Sequence, residues 1–388
     1  MRGYNYNGGI DVLFVKSENL KPGMRLAKPI YNRNGVLLYD RNSKLTQQGI
    51  VSIINFNLIG IFILEPAEPV PPMTQSDIDF ECFQAVNVFA VEEELNKIIS
   101  SRRSPKMLSL VADISKRYGY LDEKINFIQN LRSAEDYVYK HSLNVAVLCA
   151  MMSNVLHMRA EDRQDVLIAA LVHDVGKVML PGPLVIKSDL SIGERSSINN
   201  AEQNGHDLLE QTFASNQNVR RICVQTHKML EDLRNDVSSE VKATIPAKIL
   251  AVAEVFDSMT AMKIGEEPAS EVAALRYLME HPEVFVPEIV EALIASINIL
   301  NPGTCVELNT GDKALVITSN SQNILRPVVL NFKDNSVLDL SNRREFGDIE
   351  IQDIMKTMDN RYIMDMSMLK AHGVEVKEPE YVEPVPTE

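Results

Sequence analysis

Hydrophobic and polar positions follow three regimes along the chain. Between residues 11 and 65, short apolar runs at 12–15, 26–31, 36–39 and 61–64 are separated by turn signals, Lys21-Pro22-Gly23 and Asn32-Arg33-Asn34-Gly35. Runs of this length read as strands, and Asn-Gly between two of them predicts a hairpin. Within this stretch, residues 46–54 predict one short helix, capped by Thr46 and carrying Gln47 and Gln48 in its first turn. From Asp77 to about Ser296 the apolar repeat shifts to about 3.6 residues, which predicts one helix after another with few strands. After Asn301-Pro302-Gly303 the strand pattern returns at 305–308, 314–318 and 328–332, broken by polar turns at 309–312 and 320–323.

The expected fold class is therefore mainly α, a helical domain flanked by small β-rich modules. The boundaries read as a β-rich module at 1–65 and a linker at 66–76. An all-α domain follows at 77–300, then a second β-rich module at 301–340 and a C-terminal segment at 341–388. Pro66, Pro69, Pro71 and Pro72 in the linker fit neither a helix interior nor a central strand. Acidic residues interleave with prolines from Glu375 onward, so that tail is expected to be disordered.

Composition narrows the function. The 388 residues exceed one ordinary core. With 39 Lys and Arg against 53 Asp and Glu, the net charge of −14 excludes a basic surface spread along DNA, so any phosphate must be met locally. Four scattered cysteines form no Cys-x-x-Cys pair, which argues against a zinc ribbon or a disulfide framework and fits a reducing cytoplasm. The longest apolar run, 145–152, is too short for a membrane span, and the N-terminus has no export pattern.

Three helical segments each place a candidate metal ligand on an apolar face. His141 shares a stripe with Val145, Leu148 and Met152; His173 follows Val166, Ala169 and Ala170, with Asp174 beside it and Gly176 as a candidate C-cap. Glu254 lies with Ala247, Leu250 and Ala251, and Asp257 is three residues on. Adjacent helical residues diverge by about 100°, so His173 and Asp174 can converge only where their helix ends. Taken singly, each has a bland explanation: a hydrogen-bonded core histidine, a chance dipeptide, a solvated or capping carboxylate pair. Together, buried imidazoles and carboxylates in one helical domain are costly unless they share a cation. His206 and Asp207 read as surface, His157, His281 and His372 as exposed, and Arg102-Arg103 as a solvated turn.

With His173-Asp174-Val175-Gly176-Lys177, His141 in YKHSLNVAVL and the downstream AKILAVAEVFDSMTA, the chain resembles the HD superfamily of metal-dependent phosphohydrolases, and within it the HD-GYP branch of bacterial cyclic di-GMP phosphodiesterases. LPGPLVIKSDLSIGE, GHDLLEQ, FVPEIVEALI and the flanking modules extend the resemblance over most of residues 12–335. It implies that His141, His173, Asp174 and Glu254 bind metal, that His227 belongs to the metal site, and that Lys177 and Asp174 serve catalysis, Lys177 at the scissile phosphate. Glu254 stands where the family has Asp. Ala201 and Thr226 replace family histidines, and Lys228-Met229-Leu230-Glu231-Asp232 and Lys263-Ile264-Gly265 replace the Gly-Tyr-Pro and Arg-Pro-Tyr segments. Tyr137 occupies a position where some members carry a glutamate.

One divalent ion, Mn, Fe or similar, is thus expected rather than two. The expected ligand is a cyclic dinucleotide or another phosphate ester. The alternative is a catalytically inactive HD-GYP module that binds a nucleotide, a protein partner or a second copy of the chain.

Overall fold

The computed structural model describes residues 12–26, 29–31, 37–40, 43–55, 60–64, 74–237, 242–263, 268–302, 304–320, 322–334 and 336–354. They fall into two compact units, one of residues 14–64 and 75–299, the other lying mainly in 300–354. Among the described residues, no helix is long and apolar enough to cross a membrane.

The first unit opens with β1 (Val12–Lys16), β2 (Arg25–Leu26), β3 (Ile30–Tyr31), β4 (Leu37–Tyr39), α1 (Gln47–Asn55) and β5 (Gly60–Leu64). β1, β5 and β2 form a sheet in that order, and Leu26 lies opposite Ile63 in the antiparallel β2–β5 pair. β3 and β4 pair as a hairpin, whose Asn34-Gly35 turn lies outside the described residues. The Thr46 hydroxyl accepts the Gly49 amide at 3.0 Å and so caps α1. Leu26, Ile50, Ile53, Ile61 and Ile63 close a small core, against which Leu131 packs. The proline-rich stretch at 65–73 lies outside the described residues.

The helical part runs through α2 (Gln75–Ser101), α3 (Met107–Tyr118), α4 (Tyr137–Val155), α5 (Ala160–Val172), α6 (Gly182–Val185), α7 (Ile192–Thr212), α8 (Gln217–Arg234), α9 (Ile245–Thr260), α10 (Glu271–Glu280) and α11 (Pro287–Ser296). α4 is the axis. Every residue from 141 to 153 is buried, because α2, α3, α5, α9 and α11 surround it. A helix apolar around its whole circumference has no stable place but the middle. Each fully buried side chain such as Leu143, Leu148 or Met152 contributes roughly 1.5–3 kcal/mol.

Two glycines set the approach of α7 to the turn after α5. Gly176 is not the left-handed cap its position suggests, since its φ is −62°. A Cβ on Gly176 would sit 2.0 Å from the Ala201 carbonyl oxygen, and one on Gly205 would sit 2.9 Å from the Gly176 nitrogen. Glycine is required here by contact, and the contact carries Ala201 and Glu202 up to the turn. α8 continues through residues 228–234 as helix, because that stretch contains neither Gly nor Pro to break it.

The second unit is an antiparallel sheet in the order β10-β6-β7-β8-β9, formed by β6 (Cys305–Leu308), β7 (Lys313–Thr318), β8 (Val328–Asn331), β9 (Val337–Asp339) and β10 (Ile351–Ile354), with α12 (Arg343–Phe346) before the last strand. β10 pairs with β6, so the sheet draws in residues beyond 340. The acidic tail lies outside the described residues.

Candidate metal centre

Three segments, α4, the turn after α5 and α9, bring the candidate ligands together. α5 ends at Val172, and His173 and Asp174 fall in the turn that follows, where the helical divergence between neighbours no longer holds. His141 comes from α4 and Glu254 from α9. One donor atom each from His141, His173 and Asp174 lies within 4.8 Å of the others. His141 Nε2 and His173 Nε2 are 3.3 Å apart, and Glu254 Oε2 lies 2.5 Å from the first and 2.9 Å from the second.

The opposite nitrogen of each imidazole is anchored. His173 Nδ1 is 2.8 Å from the Ala170 carbonyl oxygen, and His141 Nδ1 is 2.6 Å from Asp257 Oδ2. These acceptors place the proton on Nδ1 and turn both Nε2 atoms toward one point, the arrangement that orients metal-bound histidines. Asp257 is in turn held by Arg132, whose Nη2 donates to both carboxylate oxygens at 2.7 and 2.8 Å, and by the Asn144 and Gln129 amides at 2.9 Å each. Arg132 and Asp257 are fully buried. Tyr137 stacks on the His141 ring and lies beneath the Arg132 guanidinium.

The sequence pattern left Asp257 as a solvated or capping carboxylate. The structure instead buries it behind His141. Its spacing of three from Glu254 was the available signal, since residues three apart share a helix face. Nothing in the local pattern marks Arg132, Gln129, Asn144 or Glu202, which come from a loop, from α4 and from α7.

The electrostatics of the cluster fit a cation. Burial alone lowers an imidazole pKa, but the Glu254 and Asp257 carboxylates outweigh it and hold His141 up at about 9. Burial pushes Glu254 and Asp174 up, yet the imidazoles, and Lys177 for Asp174, keep both below their ordinary values. Four carboxylates in or at the edge of the centre, Asp174, Glu202, Glu254 and Asp257, face two permanent cations, Arg132 and Lys177. Ligation would require both imidazoles neutral, and in that state the surplus is 4 − 2 = 2 negative charges, which one divalent ion balances. The nitrogen and oxygen donors and the charge both fit such an ion.

Lys177 Nζ lies 2.8 Å from Asp174 Oδ1 and 3.3 Å from Glu202 Oε1. His227 does not join the ligand cluster; its Nδ1 lies 3.2 Å from Glu202 Oε2, one carboxylate removed. Ala201 is buried at the Gly176 crossing, and the Thr226 hydroxyl donates to the Ala247 carbonyl at 3.0 Å. Neither position supplies a donor for a second ion. Lys228 pairs with Asp232 at 2.6 Å on α8, and Ile264 and Gly265 lie outside the described residues.

His206, read from the sequence as surface, is buried at 5% exposure. The close crossing at Gly205 draws that face of α7 inward, and the His206 ring meets His227 edge-on. His157 is exposed, His281 is half-buried against Tyr277, and His372 lies outside the described residues. Burial, with His227 and Arg220 nearby, lowers the His206 pKa to about 4. The unfolded chain takes up this proton near pH 6.5 and the native one only near 4, so stability is lost as pH falls through that window. The slope contributed is up to about 1.4 kcal/mol per pH unit. Urea unfolding at pH 7 and pH 4.5 is expected to show a smaller acid loss in His206→Gln than in the wild type; equal losses would contradict this.

An HD domain model matches residues 126–285, a span that contains His141, His173, Asp174, Lys177, His227 and Glu254. Residues 126–285 of the chain thus carry an HD domain. The chain is 24% identical over 204 residues to the cyclic di-GMP phosphodiesterase PA4108 of Pseudomonas aeruginosa, covering 52% of this chain and 49% of that one. It is 26% identical over 151 residues to the cyclic di-GMP phosphodiesterase response regulator RpfG of Xanthomonas campestris pv. campestris, covering 38% and 40%. The matched region thus spans less than half the length of either relative. Among solved structures, Bd1817, an HDG"Y"P protein from Bdellovibrio bacteriovorus, aligns with a TM-score of 0.44 at 13% identity, over 73% of this chain and 98% of that one.

Proposed function

We propose that the chain is a metal-dependent phosphodiesterase of cyclic di-GMP signalling, hydrolysing a cyclic dinucleotide with one divalent ion, Mn, Fe or similar. The observation that carries this reading is the convergence of two imidazole Nε2 atoms, each anchored through Nδ1, beside Asp174 and Glu254. The curated relatives' names supply the substrate class.

His141, His173, Asp174 and Glu254 would hold the ion, which when bound supplies a Lewis acid for the phosphoryl oxygen and lowers the pKa of water toward neutrality. The chain's own residues do the rest. Asp257 and the Ala170 carbonyl fix the two imidazoles, and Arg132 keeps Asp257 ionised against its burial. Asp174 and Glu202 outweigh burial and hold Lys177 protonated, so a permanent ammonium stands at the edge of the centre to meet a phosphate. In a protein of charge −14, such local cations are what makes an anionic dinucleotide welcome.

Stripped with a chelator and reloaded with Mn(II) or Fe(II), the chain is expected to convert cyclic di-GMP to a linear product. A second reading, a catalytically inactive module that binds the nucleotide without turnover, is favoured by the commitment of Ala201 and Thr226 to packing rather than ligation. A protein partner, including a second copy of the chain, belongs to that reading. Calorimetric binding of cyclic di-GMP with no product under either metal would select it.

A further inference from the structure

Beyond the ligand cluster lies a second half of the site with its own organisation. Lys177 is clamped between Asp174 and Glu202, and the other Glu202 oxygen faces His227 Nδ1 at 3.2 Å. That oxygen is buried without a hydrogen-bond partner, and the His227 imidazole stands at ion-pair distance from it. His227 Nε2 has no partner among the described residues, and 23% of the side chain stays exposed. From α7, Glu202 and His206 face the ring; on its own helix Lys228 is occupied by Asp232. A carboxylate behind Nδ1 and an open Nε2 is the arrangement of an imidazole that handles protons.

Hydrolysis of a sugar phosphodiester has to release a strongly basic alkoxide. Two ions can share that task with activation of water, but here the one cluster of three metal-type donors among the described residues is that of His141, His173 and Asp174. The leaving oxygen needs another source of positive charge. We propose that His227 is that source, a catalytic residue donating the Nε2 proton to the leaving oxygen, with Glu202 as its positioning residue; the inference rests on the phosphodiesterase reading above. As water adds to phosphorus, the P–O bond to the leaving group breaks and its electron pair stays on the oxygen, which takes the proton from His227. The proton that the attacking water releases restores the balance, and the imidazole is reprotonated from solvent.

The test compares leaving groups in the full metal-loaded chain. Cyclic di-GMP expels an alkoxide, whereas bis(p-nitrophenyl) phosphate expels a phenolate stable enough to leave without a proton. In His227→Gln, kcat on cyclic di-GMP is expected to fall by about 10²–10³, within the usual range for general acid catalysis, while the nitrophenyl diester changes by less than about threefold. Glu202→Gln is expected to give the same selectivity with a smaller loss. Metal content by mass spectrometry stays at the wild-type value in both variants. Equal losses on the two substrates, or a lost ion in His227→Gln, would overturn the proposal, the latter by making His227 a ligand. A wild type that turns over neither substrate would instead bring down the phosphodiesterase reading and this inference with it.

Discussion

Replacing His173 and Asp174 together with alanine is expected to abolish metal binding and to lower phosphodiester turnover by a factor of about 10³ or more. The two residues fill the turn after α5 and supply one of the two converging imidazoles and the carboxylate that also holds Lys177. Their loss removes half of the four donors and leaves His141 and Glu254 paired with each other at 2.5 Å. Several kcal/mol of charge stabilisation disappear with the ion, and each 1.36 kcal/mol is about tenfold in rate. The fold is expected to survive, because α5 ends before these residues and its apolar face is untouched. Product formation from cyclic di-GMP, measured beside circular dichroism, checks both halves. A variant that keeps its ion would remove His173 and Asp174 from the ligand set.

Replacing Arg132 with methionine is expected to cost about 3–5 kcal/mol of stability, since it strands a buried carboxylate. Arg132 and Asp257 are both at 0% exposure, and the guanidinium meets both carboxylate oxygens. Removing both charges, as Arg132→Met with Asp257→Leu, is expected to recover most of that stability, as apolar replacement of a buried pair often does. Metal affinity is expected to stay about 10–100-fold weak in the double variant, because His141 Nδ1 has lost the acceptor that orients it. Urea unfolding and metal titration of the three proteins separate the two effects. Recovery of affinity along with stability would mean that Asp257 matters only as a counter-charge to Arg132.

The helices and their inward faces were legible because apolar periodicity is local. Residues 136–156 predicted α4, and the polar turn at 309–312 marked the β6–β7 hairpin. The candidate ligands stood out for the same reason, as polar residues on apolar faces. What supports them did not, because it joins distant segments: Arg132 meets Asp257 across 125 residues, and Gln129 meets it across 128. The buried position of His206 depends on the Gly176–Gly205 crossing, which no pattern along one helix reveals. Nor could spacing show that β10 returns to β6 after residue 340.

In the proposed function, His141, His173, Asp174 and Glu254 form a centre for a single divalent ion. Metal content per chain, determined by mass spectrometry on the freshly purified wild type and on the His173→Ala, Asp174→Ala variant, tests it most directly. One equivalent of a divalent transition metal in the wild type and none in the variant is the expected result. No metal in the wild type after reloading, or two equivalents, would contradict it.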